Sequence, residues 1–320
     1  MSVIHHSKNT PRSSSRPEAH QTARFPKEQK MDIYQTVTQQ IIDAIEQGVQ
    51  QTGKPLWHGQ GRAPAMPFNH KTAKEYRGIN VLSLWIAANA KAYGSSAWLT
   101  YRQAEELGGQ VRKGEKSTAV VFYQNTERKE VDDETGAVEN RQGILLRTYW
   151  LFNLEQIDGI AATGAKTKKF QGIDAADQVL ASCGADIIEQ GSKAFYRPST
   201  DEIHLPTRDR FDRPESFYAV ALHEATHSTG HLSRLARNFD GRFGDESYAF
   251  EELIAELGAS FLCADLGLAP VTLDDHARYI DSWLSVLKRD KKAIFTAASH
   301  AAKAHDYLMA MAARKKECVA

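Results

Sequence analysis

Cysteine is scarce in this chain. There are three cysteines in 320 residues, Cys183, Cys263 and Cys318. They lie far apart with no CxxC pair, which argues against a thiolate zinc site or a disulfide framework and fits a reducing compartment. Long apolar runs are also missing. Nothing approaches the roughly 18 residues needed to cross a bilayer, and the N-terminus lacks the apolar stretch of a secretory signal. A cytoplasmic protein with no membrane partner is expected. Charge of one sign is not in excess either, because 40 Lys and Arg balance 40 Asp and Glu. That argues against a globally basic nucleic-acid binder and leaves a local basic face open.

What is present is the composition of a soluble globular protein, 42% hydrophobic and 25% charged. The length suits two domains of roughly 130 to 160 residues each. Residues 1–30 are polar, with almost nothing apolar to bury, and read as a disordered, mildly basic tail. A first α+β domain is expected over 31–157. Ile33, Val37, Ile41 and Ile45 recur at helical spacing, with Gly48 as a candidate end. A second helix follows in YRGINVLSLWIAANAKAYG, with Gly78 or Asn80 near its start and Gly94 at its end. TYRQAEELGG reads as a third, shorter helix. TAVVFYQ and GILLRTYWLF are β-rich, and the charged ERKEVDDETGAVENRQ between them reads as a solvated, turn-like hairpin. Residues 158–172 read as a linker. The second domain, 173–320, is mostly helical. It has a helix at DAADQVLASCG, two short strands in KAFYRPSTDEIHLP, and helices near 214–229, 246–266, 274–288 and 291–313.

One of those helices contains HEATHSTGH. Pro214 and Glu215 suit its first turn and Gly230 its end. His223 and His227 then share a face one turn apart and can hold a zinc ion from one side. Glu224 beside them can take a proton from a metal-bound water and pass it to a leaving amine. A third protein ligand is required. A histidine six residues after the second would be one solution, but Ser233 stands there. The other solution is a glutamate from a later helix in the form ExxAD or ExxAE, which FEELIAELGASFL supplies. Glu252 is the expected ligand, Glu251 its rival, and Glu256 a carboxylate orienting an imidazole N–H. His231 can polarise a substrate carbonyl or be structural. Tyr218, Tyr248 and His231 remain unranked as oxyanion stabilisers. One Zn2+ per chain is expected.

The first domain mixes aromatics with cations. Trp57, Arg77, Tyr101, Arg102, Arg112, Lys113 and Lys116 are the candidate contacts to a nucleic-acid strand, by stacking and by phosphate neutralisation. The bland alternative is that most of these aromatics are core, as Trp85 in its apolar helix is read to be.

YRGINVLSLW, WLTYRQAEELGGQVRKGEKSTAVVFY, YWLFNLEQIDGI, FYRPSTDEIHLP, FYAVALHEATHSTGHLSRL, EELIAELGASFL and YIDSWLSVLKRD together resemble the ArdC antirestriction family. The same region is similar to the N-terminal part of TraC-type conjugative primases. The resemblance runs from about 31 to 310. It implies a domain binding single-stranded DNA followed by a zincin-like metallopeptidase domain of the gluzincin pattern, on a plasmid or mobile element. It implies protection of incoming conjugated DNA from host restriction, with a restriction-system component as a candidate protein substrate. By position, His223, His227 and Glu252 match the family's zinc ligands and Glu224 its catalytic glutamate. No primase module follows residue 310, so primer synthesis is not expected. The alternative is a non-catalytic single-stranded DNA shield with a structural zinc.

Overall fold

The stripe of β-branched residues near the N-terminus does fold as a helix. In a computed structural model, which describes residues 32–52, 65–131, 138–161, 172–237, 246–268 and 277–319, α1 spans Ile33–Thr52 and runs past Gly48. Glycine costs a helix interior about 1 kcal/mol. Burial of Val37, Ile41, Ile42 and Ile45 on one face outweighs that. The tail at 1–30, the loop carrying Trp57 and most of the linker at 158–172 lie outside the described residues.

Helix α2, Ile79–Ala90, begins after Gly78 and carries no side-chain cap. Gly78 sits at φ 56, a left-handed conformation that suits glycine. Asn80, one of the candidate caps, has another role. It donates to the Val121 carbonyl and accepts from the Val121 N–H, both at 2.8 Å, which ties the helix to a strand. The helix ends at Ala90, short of Gly94, with Ala92 taking the left-handed turn. Helix α3, Tyr101–Glu106, opens on a capping box between Thr100 and Gln103.

Strands β1 (Phe68–Asn69), β2 (Ala97–Thr100), β4 (Thr118–Val131) and β5 (Val138–Asn153) make a sheet in the order β1-β2-β5-β4. β1 runs parallel to β2, and β4 and β5 form a long antiparallel hairpin from Thr118↔Leu151 to Val131↔Val138. Much of the charged segment read as turn-like is therefore strand. Backbone pairing started at the apolar base continues outward whatever the side chains, so no alternation marks it. β3 (Gln110–Val111) and β6 (Ile157–Asp158) form a separate pair, too short to announce themselves by periodicity.

Further along come α4 (Gly172–Ala181), β7 (Asp186–Glu189), β8 (Phe195–Arg197), β9 (Glu202–Leu205), α5 (Pro214–Ser228), α6 (Glu246–Leu266), α7 (Ala277–Arg289) and α8 (Ala293–Val319). The strand order is β7-β9-β8, with β7 parallel to β9. The hairpin of β8 and β9 was expected; β7 was not, because its short apolar centre has no pattern.

From Ile33 onward the chain clusters as one unit. The reason is α6, which is buried on nearly every side. Leu253, Ile254, Leu257 and Phe261 join a core with Val37, Ile41 and Ile45 of α1 and Trp85 of α2. Ala259, Leu262 and Cys263 join a second core with Phe217, Leu222 and Ala225 of α5. A helix apolar on all sides belongs at the centre of a fold. The four glutamates of α6 are the exceptions to that rule, and three of them are buried in it.

Candidate metal centre

The centre forms where α5 and α6 cross. Pro214 sits in the first turn of α5 and Glu215 complements its dipole. Thr229 caps the other end, directly before Gly230. The two helices approach closely because Gly258 faces Thr226. A Cβ on Gly258 would lie 2.4 Å from the Thr226 methyl carbon. The close approach sets the imidazoles of α5 against the carboxylates of α6.

His223 Nε2 and His227 Nε2 are 3.2 Å apart. Glu252 lies across from both, with Oε2 at 3.5 Å from His223 Nε2 and Oε1 at 3.5 Å from His227 Nε2. Potential ligand atoms of these three residues all lie within 4.8 Å of one another, the one such group among the described residues. Glu251 and Glu256 stand on the far sides of the rings. Glu251 Oε1 is 3.2 Å from His227 Nδ1, and Glu256 Oε2 is 3.9 Å from His223 Nδ1. Glu251, the rival ligand, thus faces the back of His227. Glu256 lies behind His223 at ion-pair distance.

The electrostatics ask for positive charge at this point. Burial alone would keep His227 neutral, but the carboxylates of Glu252 and Glu251 overcome it and raise its pKa to about 10. Glu252 feels the reverse. Burial would raise it, yet the imidazoles of His227 and His223 hold it well below the usual carboxylate range. Without a bound proton, the two Nε2 atoms and the Glu252 oxygens converge as acceptors. Such a cluster repels itself unless a cation sits among its members. Two imidazoles and one carboxylate are a donor set that suits a divalent transition metal with an open position. The residues therefore fit the group.

Glu224 is buried beside the pair, and that burial raises its pKa against the pull of His223 and His227. The Tyr196 backbone nearby works the other way and lowers it slightly. Nothing in the sequence flagged Tyr196, because β8 reaches Glu224 only through the fold. Arg237 was also missed. It donates to both Glu251 oxygens, at 3.0 Å and 2.7 Å.

The three oxyanion candidates separate in space. The Tyr218 hydroxyl accepts from Arg208 at 2.9 Å, away from the cluster. His231 Nδ1 pairs with Ser233 Oγ at 2.8 Å and lies 4.0 Å from Asp201. Tyr248 lies next to Glu252. Its hydroxyl is 3.5 Å from that of Tyr279, and its pKa is pushed far up by burial, then by Tyr279 and Glu252.

The nucleic-acid candidates divide by charge matching. Arg77 pairs with Asp306 of α8, Arg102 with Glu106, and Arg112 with Asp158 and Glu115. These arginines are engaged within the chain. Lys113 and Lys116 are exposed and form no ion pair among the described residues. Tyr101 is exposed and packs edge-on against Phe152, with ring centroids 6.4 Å apart. Trp150 projects from the same face of β5 as Phe152 and is 49% exposed. On the opposite face Phe122 and Tyr149 touch at 5.3 Å, both exposed. Trp98 and Tyr76, from the same aromatic-rich region, are core, as is Trp85. No helix among the described residues is long and apolar enough to cross a membrane.

Residues 31–152 match the family described as the N-terminal domain of anti-restriction factor ArdC. Residues 174–300 match zincin-like metallopeptidase. The uncharacterized protein y4eC of Sinorhizobium fredii (strain NBRC 101917 / NGR234) is 44% identical over 283 residues, covering 87% of this chain and 92% of its own length. The DNA primase TraC of Escherichia coli is 36% identical over 299 residues, which span 88% of this chain but only 27% of the primase. The metal-free crystal structure of the antirestriction ArdC protein from plasmid R388 has a TM-score of 0.73 at 46% identity, covering 88% of this chain and 98% of that one. The Mn(II)-bound structure of the same protein aligns with the same score at 44% identity. On the strength of these matches along nearly its whole length, the chain belongs to the ArdC antirestriction family, with an ArdC N-terminal domain followed by a zincin-like metallopeptidase domain.

Proposed function

We propose that the chain is an antirestriction protein that binds single-stranded DNA through residues 31–157 and cleaves a protein substrate through residues 173–320. In this reading it protects incoming conjugated DNA, and its substrate is a component of the host restriction system. The observation that carries the reading is the convergence of His223, His227 and Glu252 beside the buried carboxyl of Glu224. His223 and His227 would hold a divalent ion through Nε2, and Glu252 would hold it through its carboxylate. R388 ArdC has been solved with Mn(II); the imidazole-rich donor set favours zinc here. A divalent ion bound there supplies Lewis acidity toward a peptide carbonyl and toward water.

The chain's own residues do the rest. Glu224 takes the proton of the attacking water and returns it to the leaving nitrogen, a role suited to a carboxyl whose pKa burial has raised. The Tyr196 backbone nearby favours the charged form of that carboxyl. The phenol of Tyr248, beside Glu252, is the candidate donor to a developing oxyanion. Exposed Tyr101, Trp150, Phe122 and Tyr149 offer faces for stacked bases, and Lys113 and Lys116 offer charge to phosphates. A second reading has its own support. The same cluster clamps α5 to α6, so the ion can be structural while the DNA surface alone gives protection.

Metal content of purified wild type and His223→Ala is the first test. About one zinc per chain, lost in the variant, is expected; a metal-free wild type would sink both readings of the site. Glu224→Gln then separates the two. It should keep metal and fold while losing protection of conjugated DNA. Full protection by that variant would leave only the shield.

A further inference from the structure

We propose that Arg237 is a positioning residue for the metal centre, acting through Glu251 on His227. The proposal rests on the reading above that His223, His227 and Glu252 hold a cation. Arg237 lies in the turns that follow α5, and its side chain is only 4% exposed. A buried guanidinium is costly unless every donor is used. Here nearly all of them are. Nε donates to Glu251 Oε2 at 3.0 Å and Nη2 to Glu251 Oε1 at 2.7 Å. Nη1 donates to Thr229 Oγ1 at 2.7 Å and Nη2 to the Thr226 carbonyl at 2.8 Å. Two parallel bonds to one carboxylate form the planar fork that arginine makes and lysine does not.

The fork has a consequence at the metal centre. Glu251 Oε1, held by Arg237, stands 3.2 Å from His227 Nδ1. A carboxylate fixed there accepts a hydrogen bond from Nδ1–H, so a cation held by His227 would take Nε2, the nitrogen turned toward Glu252 and His223. Arg237 also grips the last turn of α5 through Thr226 and Thr229 while it grips α6 through Glu251. It therefore sets the spacing between the helix carrying His227 and the helix carrying Glu252. A purely structural arginine would affect stability alone. A positioning arginine must also affect how tightly the centre holds a cation.

The test is titration of the full-length chain with Zn2+ alone against a chelating dye, repeated with Co2+ for its visible spectrum. The variants are Arg237→Gln, Glu251→Gln and the double substitution. Each single variant should weaken Zn2+ binding about 10- to 100-fold and alter the Co2+ spectrum. The double should bind no more weakly than the worse single variant, because both act along one relay. Arg237→Lys, which keeps the charge and loses the fork, should recover only part of the affinity. A folded Arg237→Gln protein with wild-type affinity overturns the proposal, and so do additive losses in the double variant. Should Arg237→Gln fail to fold, Arg237→Lys carries the same test, and wild-type affinity there overturns it equally. A wild type that binds no metal overturns the underlying reading as well; a metal-binding wild type with unaffected variants overturns this proposal alone.

Discussion

Glu251 and Glu252 are neighbours in the chain and sit on opposite sides of one imidazole. A helix turns each residue about 100° from the last, so Glu252 faces the meeting point of the Nε2 atoms while Glu251 faces the back of His227. The spacing of the motif could nominate either residue, and only the partner helix separates them. The same kind of separation applies to the cations. Arg77, Arg102 and Arg112 are matched by carboxylates, and exposed pairs of this sort contribute little stability. They also have little charge left for a phosphate. Lys113 and Lys116 are the better candidates. Replacing both with Ala should flatten the salt dependence of single-stranded DNA binding, by about 0.7 in log–log slope for each phosphate that a lysine neutralises. Trp150→Ala should weaken binding by about 1–3 kcal/mol if a base stacks there, with the slope unchanged. Fluorescence anisotropy across a salt series reads both, and an unaltered slope in the lysine variant would remove that turn from the interface.

At the scale of elements, the decisive contact is α5 against α6. Ala255 and Ala259, on the glutamate-bearing side of α6, are small enough to let another helix approach. A tight contact lies at Gly258, where an added Cβ would meet Thr226. Thr226 cannot easily move, since its hydroxyl bonds the Leu222 carbonyl at 2.8 Å and a β-branched side chain has few rotamers in a helix. Alanine would ordinarily favour a helix over glycine by about 1 kcal/mol. Gly258→Ala should nonetheless destabilise the chain by about 1–3 kcal/mol, the usual cost of overpacking, and should loosen metal binding by moving Glu252 away from the histidines. Thermal melts with and without Zn2+ would measure both effects. A stabilised, tight-binding Gly258→Ala would mean that the helices are not held at this distance.

Across the whole molecule, the two family regions share one of their cores. Val37, Ile41, Ile45 and Trp85 from the first region pack with Leu253, Leu257, Phe261 and Ile294 from the second. Arg77 reaches Asp306 of α8, whose neighbour His305 also pairs with Asp265 at the end of α6. An ArdC N-terminal region built this way shares the helix that carries Glu252. The full chain should therefore melt in one cooperative transition, followed by circular dichroism. Residues 31–157 expressed alone should expose the apolar faces of α1 and α2 and bind a hydrophobic dye. A sharp, native-like transition from that fragment would show that the shared core is dispensable.

Local physics determined much of this protein directly from the sequence. Helices with a periodic apolar face and a proline or glycine at their ends were legible, and the segments at 214–228 and 246–266 fell where the pattern put them. The pairing of His223 with His227 was legible too, because a four-residue step on a helix is a local geometric fact. What had no local signature was decided by the tertiary structure. Strands of two to four residues such as β3, β6 and β7 form because a partner strand arrives. Asn80 serves a strand rather than a helix end because Val121 lies opposite. Arg237 and Tyr196 reach the centre because the turn after α5 and strand β8 bring them there. Spacing along the chain says which side chains can act together on one element; which carboxylate meets which imidazole is settled when two elements pack.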